Sequence, residues 1–245
     1  MHTDLKTKVA TATELRDIID AVKDPESTRV IPHMIPVLLD CLRSGEPSYQ
    51  KDSLEYVFRR TIVEVLHRIP VNDVIRPQAH AFFSGMLHVL HTDNEENAVI
   101  CSKVLLEMSR SLRPLADDLI KEWFNAFHER CRSLPALVKS MLSEGSPPID
   151  PSIILPSMQS IKILYELCTG LQHWLSSQRQ VTLPLAQENL KVYFEVIDLV
   201  APAQKTAREN YEAMGGNIWS GIAPTIRNVT AYIDMISAQI RVREI

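Results

Sequence analysis

Glycine is scarce in this chain, with 7 glycines among 245 residues. Tight β-hairpins and phosphate-binding loops depend on glycine, because its backbone reaches conformations that other residues avoid. The patterns GxGxxG and GxxxxGK[ST] are absent, as is the GxSxG pattern of serine hydrolases. The shortage favours an all-helical fold and leaves nucleotide phosphates without an obvious binding loop.

Cysteine is also sparse, with four residues spread along the chain as Cys41, Cys101, Cys131 and Cys168. No two of them form a CxxC pair, and each lies in an apolar helical stretch, which predicts four reduced, buried thiols in an intracellular protein. No apolar run approaches the ~20 residues that span a bilayer. We therefore expect a cytosolic or nuclear protein without a membrane partner.

An excess of positive charge is missing as well. The chain has 26 Lys and Arg residues against 30 Asp and Glu residues, a formal net charge of −4. Proteins that bind a phosphate backbone usually carry a strongly basic surface. We therefore expect no direct binding of nucleic acid. The hydrophobic fraction of 45% is large enough for a folded protein of one or two domains.

Amphipathic helical patterns run along the chain, and the clearest covers residues 53–69. Its apolar residues recur every three or four positions, with Ser53 as a predicted N-cap and Pro70 as the stop. The opposite face offers charge pairs four residues apart, which are Glu55–Arg59, Arg60–Glu64 and Glu64–Arg68.

Further helices are predicted on both sides of this one. The pattern predicts helices over about 30–43, 76–90 and 115–142, with Pro77 in the first turn of the second and a break or kink near Pro135 in the third. Asp93 is the predicted N-cap of another helix, with Glu96 as its capping-box partner. Later helices are predicted over 157–175, 185–200 and 224–240.

Comparable helices recur along the sequence. Pro32 and Pro77 open two predicted helices 45 positions apart, and Glu64 and Glu107 lie in two others 43 positions apart. This period is typical of HEAT-like repeats, whose helix pairs bury their apolar faces against neighbouring pairs. The sequence predicts an all-α protein, an α-solenoid of HEAT-like antiparallel helix pairs, with a compact helical bundle as the alternative.

The domain organisation follows from the same patterns. We expect N-terminal HEAT-like repeats over residues 1–142 and a loop or linker at 143–156, which holds five Gly or Pro residues in fourteen positions. Helical repeats continue over 157–245. The last apolar pattern runs almost to the final residue, which predicts a chain truncated from a longer one.

Residues for chemistry are not arranged in a known catalytic or metal-binding pattern. His128-Glu129 lacks the second histidine of HExxH, and His80, His88 and His91 fit surface positions better than a metal site. We predict no catalytic residue, no metal and no cofactor.

Polar residues and prolines near the ends of the helices have predicted structural roles in inter-helix turns. They are Arg68, Pro70, Arg76, Pro77, Asn94, Glu95, Asn97, Arg113 and Pro114. A second group of arginines suggests a groove for acidic peptides, formed by Arg59, Arg60, Arg110, Arg113, Arg130 and Arg132. Because local carboxylates are available to several of them, a self-paired, solvated helix face is the favoured interpretation. We assign no partner-binding residue.

Four segments carry a resemblance to a known family: Val63–Asn72, Ile75–Pro77, Asp93–Cys101 and Leu112–Pro114. They resemble the N-terminal helical repeats of the TRRAP family, which are pseudokinases related to the phosphatidylinositol-3-kinase-like kinases. The resemblance is strongest over about residues 27–115, and the divergence elsewhere favours a fungal orthologue.

The resemblance implies a function that composition and spacing do not show. Proteins of this family are nuclear scaffolds in histone acetyltransferase complexes of the SAGA type, and their helical repeats receive transcription activators. We therefore expect a non-catalytic segment of a transcription coactivator subunit, located in the nucleus, whose partners are activators and other subunits of the complex. The alternative is a HEAT-repeat adaptor of another class, such as a nuclear transport receptor or a phosphatase scaffold.

Overall fold

The computed structural model of the chain describes residues 4–21, 26–112, 116–143, 163, 166–167 and 179–188. Within these ranges every regular element is an α-helix or a 3₁₀ helix, and no strand occurs. The prediction of an all-α fold is confirmed. No helix in the described part of the chain combines the length and the apolar character that crossing a bilayer requires.

The helices follow one another with short connections. They are α1 (Leu5–Ile18) with a 3₁₀ turn (Ile19–Ala21), α2 (Glu26–Arg43), α3 (Leu54–Arg68), a 3₁₀ helix (Asp73–Gln78), α4 (Ala79–Thr92), α5 (Glu95–Ser111), α6 (Asp117–Ser143) and α7 (Arg179–Glu188). The chain divides into two compact units, Met1–Leu119 and Ile120–Ile245.

In the first unit, each helix from α1 to α5 packs against at least one other helix, either the next one in the chain or the one after it. α1 contacts α3, α2 contacts α3 and α4, α3 contacts α5, and α4 contacts α5. Only two residues separate α4 from α5, and so short a connection makes the two helices an antiparallel pair. This ladder of side-by-side helices is the α-solenoid that the sequence predicts.

α3 is the central helix of this unit, and its ends match the prediction. Ser53 is its N-cap, and the Ser53 hydroxyl accepts a hydrogen bond of 3.1 Å from the backbone N–H of Tyr56. Val63, Val65 and Leu66 are fully buried, and burying an aliphatic side chain of this size contributes roughly 1.5–3 kcal/mol. The burial on several sides explains why α3 contacts α1, α2 and α5.

α2 begins earlier than the sequence predicts. The helix runs from Glu26, so Pro32 lies inside it together with Pro36 and does not open it. A proline in a helix interior costs ~3 kcal/mol because it removes a hydrogen bond. The buried apolar stripe of α2 offsets this cost, and it consists of Ile31, Ile35, Leu38, Leu39 and Leu42.

α4 also differs at its start. Arg76 and Pro77, predicted in its first turn, lie in the preceding 3₁₀ helix Asp73–Gln78, and α4 starts at Ala79. The Asn72 side chain accepts a hydrogen bond of 2.9 Å from the N–H of Val74 and so caps that 3₁₀ helix. This extra element, which buries Ile75, separates α3 from α4.

Two helices were not predicted, and several predictions lie outside the described residues. α1 and α7 carry weaker apolar periodicity than α3, and α7 begins before the predicted helix at 185–200. α6 is continuous from Asp117 to Ser143, so the predicted break near Pro135 is absent, and the alternative of a kink there stays a prediction. The predicted helices over 157–175 and 224–240 and the linker after Ser143 fall wholly or largely outside the described ranges, and the domain limits stay predictions.

The two cysteines whose side chains are described are free thiols. Cys101 is buried on α5, and Cys41 is half-buried on α2. Burial raises the pKa of the Cys101 thiol well above its ordinary value, and the nearby Asp93 carboxylate raises it further. Cys101 therefore stays protonated and serves as a small apolar side chain.

Trp123 is a fully buried side chain of the second unit. The Trp123 indole N–H donates a hydrogen bond of 2.9 Å to the backbone carbonyl of Leu167, which joins α6 to a residue 44 positions away. His128 lies one turn further along α6, between Phe124 and Phe127, with ring centroids 5.9 and 6.0 Å from theirs.

Because α2 and α4 pack closely at Gly85, adding one methyl group there should destabilise the protein. A Cβ added at Gly85 would lie 2.7 Å from one methyl carbon of Leu39, which is buried. Alanine improves helix propensity by ~1 kcal/mol, and overpacking costs ~1–3 kcal/mol, so Gly85→Ala should lower the unfolding free energy by about 1 kcal/mol. Denaturant titration measures the change.

Two comparisons control that measurement. Gly45→Ala should be neutral or slightly stabilising, because its new Cβ would meet the nearest atom, on Arg59, at an ordinary 3.7 Å. In a Leu39→Ala background, Gly85→Ala should no longer destabilise the protein. Equal costs of Gly85→Ala in both backgrounds would refute the proposed clash with Leu39.

Acid should destabilise the second unit through His128. Burial lowers the pKa of His128 to about 4, and the positive charge of Arg132 adds to the shift. The unfolded chain, with a pKa of about 6.5, binds a proton that the folded chain excludes, so stability should fall as the pH drops from about 6.5 towards 4. NMR titration of the His128 ring and thermal unfolding at several pH values measure both effects. His128→Gln should flatten this dependence, and the exposed control His88→Gln should leave it unchanged; a midpoint above pH 6 would contradict the prediction.

Candidate protein-interaction site

A buried ion pair joins α3 to two inter-helix connections of the first unit. The Arg59 guanidinium of α3 and the Asp93 carboxylate after α4 lie 2.7 Å apart, and their side chains are 5% and 0% exposed. Arg59 also donates to the backbone carbonyls of Leu42, at 2.7 Å, and Gly45. The pair therefore ties α3 to the α2–α3 connection and to the α4–α5 turn.

The second carboxylate oxygen of Asp93 organises the turn between α4 and α5. It accepts hydrogen bonds from the backbone N–H of Asn94, at 2.7 Å, and from the Asn94 amide, at 3.0 Å. Asn94, in turn, is the N-cap of α5, and its side chain accepts a hydrogen bond of 3.1 Å from the N–H of Asn97. The predictions that Asp93 caps this helix and that Arg59 pairs with Glu55 are therefore wrong.

A second polar network lies on the surface around Glu96. The Glu96 carboxylate accepts hydrogen bonds of 2.6 Å from Lys51 and from the Tyr56 hydroxyl, and Arg60 lies 3.5 Å away. Hydrogen bonds from Lys51 and Tyr56 lower the pKa of Glu96. Glu96 thus connects α3 to α5 and does not act as the predicted capping-box partner.

Arg60 links this network to α1. It binds Glu64 at 2.8 Å, as predicted from their spacing, and the other Glu64 oxygen lies 3.3 Å from Arg16. These pairs are only partly exposed, but each still contributes little, on the order of 0.2–1 kcal/mol. Their regular placement across α1, α3 and α5 orients the helices relative to one another.

The other predicted turn residues occupy the ends of helices. Arg68 is the last residue of α3 and donates to Asp20 and to the Arg16 carbonyl, each at 3.0 Å, in place of the predicted pair with Glu64. Pro70 follows α3, and Arg76 pairs with Asp73 at 2.7 Å beside Pro77. Glu95 is the first residue of α5. Arg113 and Pro114 lie outside the described residues.

The histidines considered for a metal site lie on α4. His80 is hydrogen-bonded to Asp118 at 2.9 Å, and the His88 and His91 rings pack edge to face at 5.5 Å. In the described part of the chain, no three His, Cys, Asp or Glu side chains are grouped to hold a metal ion.

A groove of about 540 Å³ lies between the end of α3 and the outer face of α5. We call it the α3–α5 groove. Its apolar lining consists of Ile69, Pro70, Val71, Val104 and Leu106, and its polar lining consists of His67, Arg68, Lys103, Glu107 and Arg110. Three cations and one carboxylate therefore surround an apolar floor, whereas the whole chain carries a net charge of −4.

Lys103 and Arg68 bring positive charge close to His67 in the groove. Desolvation lowers the pKa of His67, and the positive charges of Lys103 and Arg68 lower it further, against the opposing effect of Glu64. Lys103 forms no ion pair with any residue that the structure describes. Its charge is therefore available to an incoming group.

Sequence reasoning found part of this site. Arg110 was among the arginines considered for an acidic-peptide groove, but Lys103, Leu106 and Val71 were missed. The spacing of Lys103, Leu106 and Arg110 on one face of α5 is a signal in the sequence. Arg59, from the same list of arginines, is buried and does not reach the groove.

The geometry of the first unit indicates a class of protein. Its stacked helices, with polar contacts at their turns and a groove lined by apolar and charged side chains, form an architecture that is common among proteins that bind other proteins.

Some relatives match the chain over nearly its full length, and others match about half of it. The transformation/transcription domain-associated protein of Homo sapiens is 24% identical over 245 residues, covering 98% of this chain and 6% of that protein. The SAGA complex/NuA4 acetyltransferase complex subunit TRA1 of Saccharomyces cerevisiae is 25% identical, covering 97% of this chain and 8% of that protein. A probable transcription-associated protein 1 of Dictyostelium discoideum is 28% identical over 55% of this chain and 3% of that protein.

These matches show that the chain is a TRRAP/Tra1-like region, as its motifs predict. It spans less than a tenth of the length of these relatives. No protein-family model matches the chain. No solved structure matches it either.

Breaking the Arg59–Asp93 pair should strongly destabilise the first unit. Asp93→Asn keeps the size of the side chain but leaves the buried guanidinium without its counter-charge, which typically costs ~3–5 kcal/mol. Asp40→Asn is the matched control, since Asp40 pairs with Arg43 on the exposed surface and should cost less than about 1 kcal/mol. Denaturant unfolding of both variants tests this.

A double variant separates the interaction energy between Arg59 and Asp93 from the contribution of each side chain alone. Replacing both residues, as Arg59→Met with Asp93→Leu, should cost less than the sum of the two single changes, because no buried charge is left alone. Strict additivity, or equal effects of Asp93→Asn and Asp40→Asn, would contradict the coupling.

Proposed function

We propose that the chain is a non-catalytic scaffold segment of a transcription coactivator subunit in histone acetyltransferase complexes of the SAGA type. It offers a helical surface to transcription activators and to other subunits of the complex, and it acts in the nucleus. The observation that carries the proposal is the similarity to proteins named as a transformation/transcription domain-associated protein and a SAGA/NuA4 subunit, over 98% and 97% of the chain, and to a probable transcription-associated protein over 55% of it.

The structure supports a scaffold role through the way it uses its ionisable groups. Arg59 and Asp93 neutralise each other in the interior, and Glu96 joins Lys51, Tyr56 and Arg60 on the surface. Ionisable groups that pair with one another between helices stabilise the arrangement of those helices, and this supports a structural role over action on a substrate. We infer the same structural role for the turn residues Arg68, Arg76 and Asn94, and no cofactor is needed for it.

A HEAT-repeat adaptor of another class is the alternative function. Stacked helix pairs also occur in nuclear transport receptors and phosphatase scaffolds, and the fold alone does not distinguish these classes. The proteins that assemble with the chain distinguish them.

Affinity purification of the protein at its natural length tests the proposal. Mass spectrometry should identify acetyltransferase subunits in the eluate, and the eluate should acetylate histones. Recovery of transport cargo or phosphatase catalytic subunits in their place would overturn the proposal in favour of the alternative.

A pair of matched variants tests whether the segment described here is needed for recovery of the complex. Leu66→Asp places a carboxylate in the fully buried core of α3 and should abolish or sharply reduce recovery of the complex. Val37→Asp makes the same kind of change at a 61% exposed position of α2 and should leave recovery unchanged. Equal recovery with both variants would mean that this segment is not required for assembly.

A further inference from the structure

The α3–α5 groove contains hydrogen-bond donors that have no acceptor. Arg68 uses its Nη1 atom for both of its bonds, to the Arg16 carbonyl and to Asp20, and within the described residues its Nη2 and Nε atoms donate to no acceptor. Lys103 likewise forms no hydrogen bond or ion pair in the described part of the chain. The groove therefore offers charged donors to a ligand that is rich in acceptors.

Glu107 is the one carboxylate among the residues that line the groove, and it is already engaged. It accepts a hydrogen bond of 3.0 Å from the Ser111 hydroxyl, and the Arg110 guanidinium lies 4.0 Å away. The side chains of Arg110 and Glu107 are 59% and 54% exposed, and an ion pair of this length and exposure contributes little. Arg110 is therefore a third cation that can bind a better-placed anion at small cost.

His67 shows that two of these cations come close to the same point. Desolvation is the largest effect that lowers the pKa of its ring, and the charges of Lys103 on α5 and Arg68 on α3 lower it further, whereas Glu64 opposes them. Both cations thus lie near enough to the imidazole to repel its protonated form. An anion with two charges at this point would satisfy the cations and remove that repulsion.

The size and the remaining lining of the groove indicate a small ligand. Its volume of about 540 Å³ lies within the ~300–1,000 Å³ that is usual for small-molecule sites. Ile69, Pro70 and Leu106 supply apolar surface beside the cations. Arginine and lysine are the residues that most often hold phosphate oxygens, which accept hydrogen bonds from several donors at once. A phosphate group attached to a small apolar skeleton therefore uses both kinds of surface.

We propose that the α3–α5 groove binds a small phosphomonoester, with its phosphate held by Arg68, Lys103 and Arg110 and its apolar part against Ile69 and Leu106. The ligand is bound and released unchanged. Because its partners come from α3 and α5, it connects these two helices. This site goes beyond the proposed scaffold function and does not depend on it.

Two larger ligands carry the same phosphate group. Three cations, on a chain with a net charge of −4, neutralise too few phosphates to hold a nucleic acid. The backbone of a phosphorylated peptide extends beyond a groove of about 540 Å³, whereas a small phosphomonoester fits within it. A single-stranded oligonucleotide and a phosphoserine peptide are therefore the competing ligands in the test.

Phenyl phosphate is the probe, and phenyl sulfate is its matched control. The two have the same ring and nearly the same shape, but above neutral pH the phosphate carries two negative charges and the sulfate ester carries one. Isothermal titration calorimetry measures their binding to the complete chain. Phenyl phosphate should bind at least ~5-fold more tightly than phenyl sulfate, because its charge matches the cations better. Lack of saturable binding, equal affinity for phenyl sulfate, or tighter binding of the oligonucleotide or the phosphopeptide would overturn the proposal.

Removal of one cation locates the phosphate. Lys103→Gln should weaken binding of phenyl phosphate by ~5–10-fold, since it removes a charge at the site. The control Lys6→Gln removes the same charge at an exposed position of α1 and should change binding by less than about twofold. Equal effects of the two variants would show that the groove is not the site.

Removal of the groove carboxylate should have the opposite effect. Glu107→Gln keeps an acceptor for Ser111 but removes the negative charge, so it should tighten binding of phenyl phosphate by ~2–5-fold. Glu14→Gln makes the same change at an exposed position of α1 and should have less than half that effect on the logarithm of the affinity. Unchanged or weaker binding by the Glu107→Gln variant would contradict the site.

The apolar contact has its own test. Leu106→Ser should weaken binding of phenyl phosphate but leave binding of inorganic phosphate nearly unchanged, because only the phenyl ring reaches this side chain. An equal loss for both ligands would contradict the placement of the ring.

His67 reports on occupancy of the site through pH. Inorganic sulfate is the probe here, since it keeps both charges throughout the range in which histidine titrates. Bound sulfate should raise the pKa of His67, so sulfate should in turn bind more tightly as the pH falls through that pKa. The charged groups that act on His67 or line the groove with it are Glu64, Arg68, Lys103, Glu107 and Arg110.

NMR titration of the histidine rings, with and without sulfate, measures this linkage. His67→Gln should remove the pH dependence of sulfate binding, and the exposed control His88→Gln should leave it in place. Sulfate binding that leaves the pKa of His67 unchanged would place the anion elsewhere and overturn the proposal.

These outcomes are distinct from those that test the scaffold function. Circular dichroism and thermal unfolding establish that each variant is folded before its affinity is measured. If Lys103→Gln and Lys6→Gln act equally, the groove assignment fails, and recovery of acetyltransferase subunits by the full-length protein still decides the scaffold function. If the groove variants behave as expected but phosphatase subunits are recovered, the groove assignment holds and the proposed function fails.

Discussion

The salt bridge between Arg59 and Asp93 is the contact on which the arrangement of the first unit depends. It brings together α3, the connection that precedes it and the turn between α4 and α5, which are otherwise joined mainly by apolar side chains. Apolar packing is tolerant of small shifts, whereas a buried guanidinium with four defined acceptor contacts is not. The pair therefore fixes the register in which neighbouring helix pairs stack.

The ion pair also influences the surface of the first unit, because it determines how α5 is oriented. Asp93 orients Asn94, Asn94 caps α5, and the orientation of α5 sets where Lys103, Leu106 and Arg110 lie relative to the end of α3. The Glu96 network adds a second connection between α3 and α5 on the surface. The groove is thus built by two helices whose relative placement is determined by polar contacts outside the groove.

The sequence predicted the elements that depend on local periodicity and missed those that depend on distant partners. α3 follows directly from apolar spacing and was predicted, and a helix near the position of α5 was predicted from its local capping pattern. The pairing of Arg59 was not, because Glu55 is the nearest carboxylate along the helix and Asp93 is 34 residues away. Similarly, Pro32 reads locally as the start of a helix, but burial of the α2 stripe carries the helix past it.

The α3–α5 groove likewise combines residues that are close in the sequence with residues from a distant segment. The face of α5 that carries Lys103, Leu106 and Arg110 lies within eight consecutive residues, but it forms a groove only with Ile69 and Pro70, which follow α3. A solenoid creates such surfaces at every junction, since each pair contributes one wall and the next pair contributes the other. At the junction of α3 and α5, Arg68, Lys103 and Arg110 outnumber the one carboxylate of Glu107, although the chain as a whole has a formal net charge of −4. Because the facing residues come from different helix pairs, the charge of such a surface is set by how the pairs stack and not by either stretch of sequence alone.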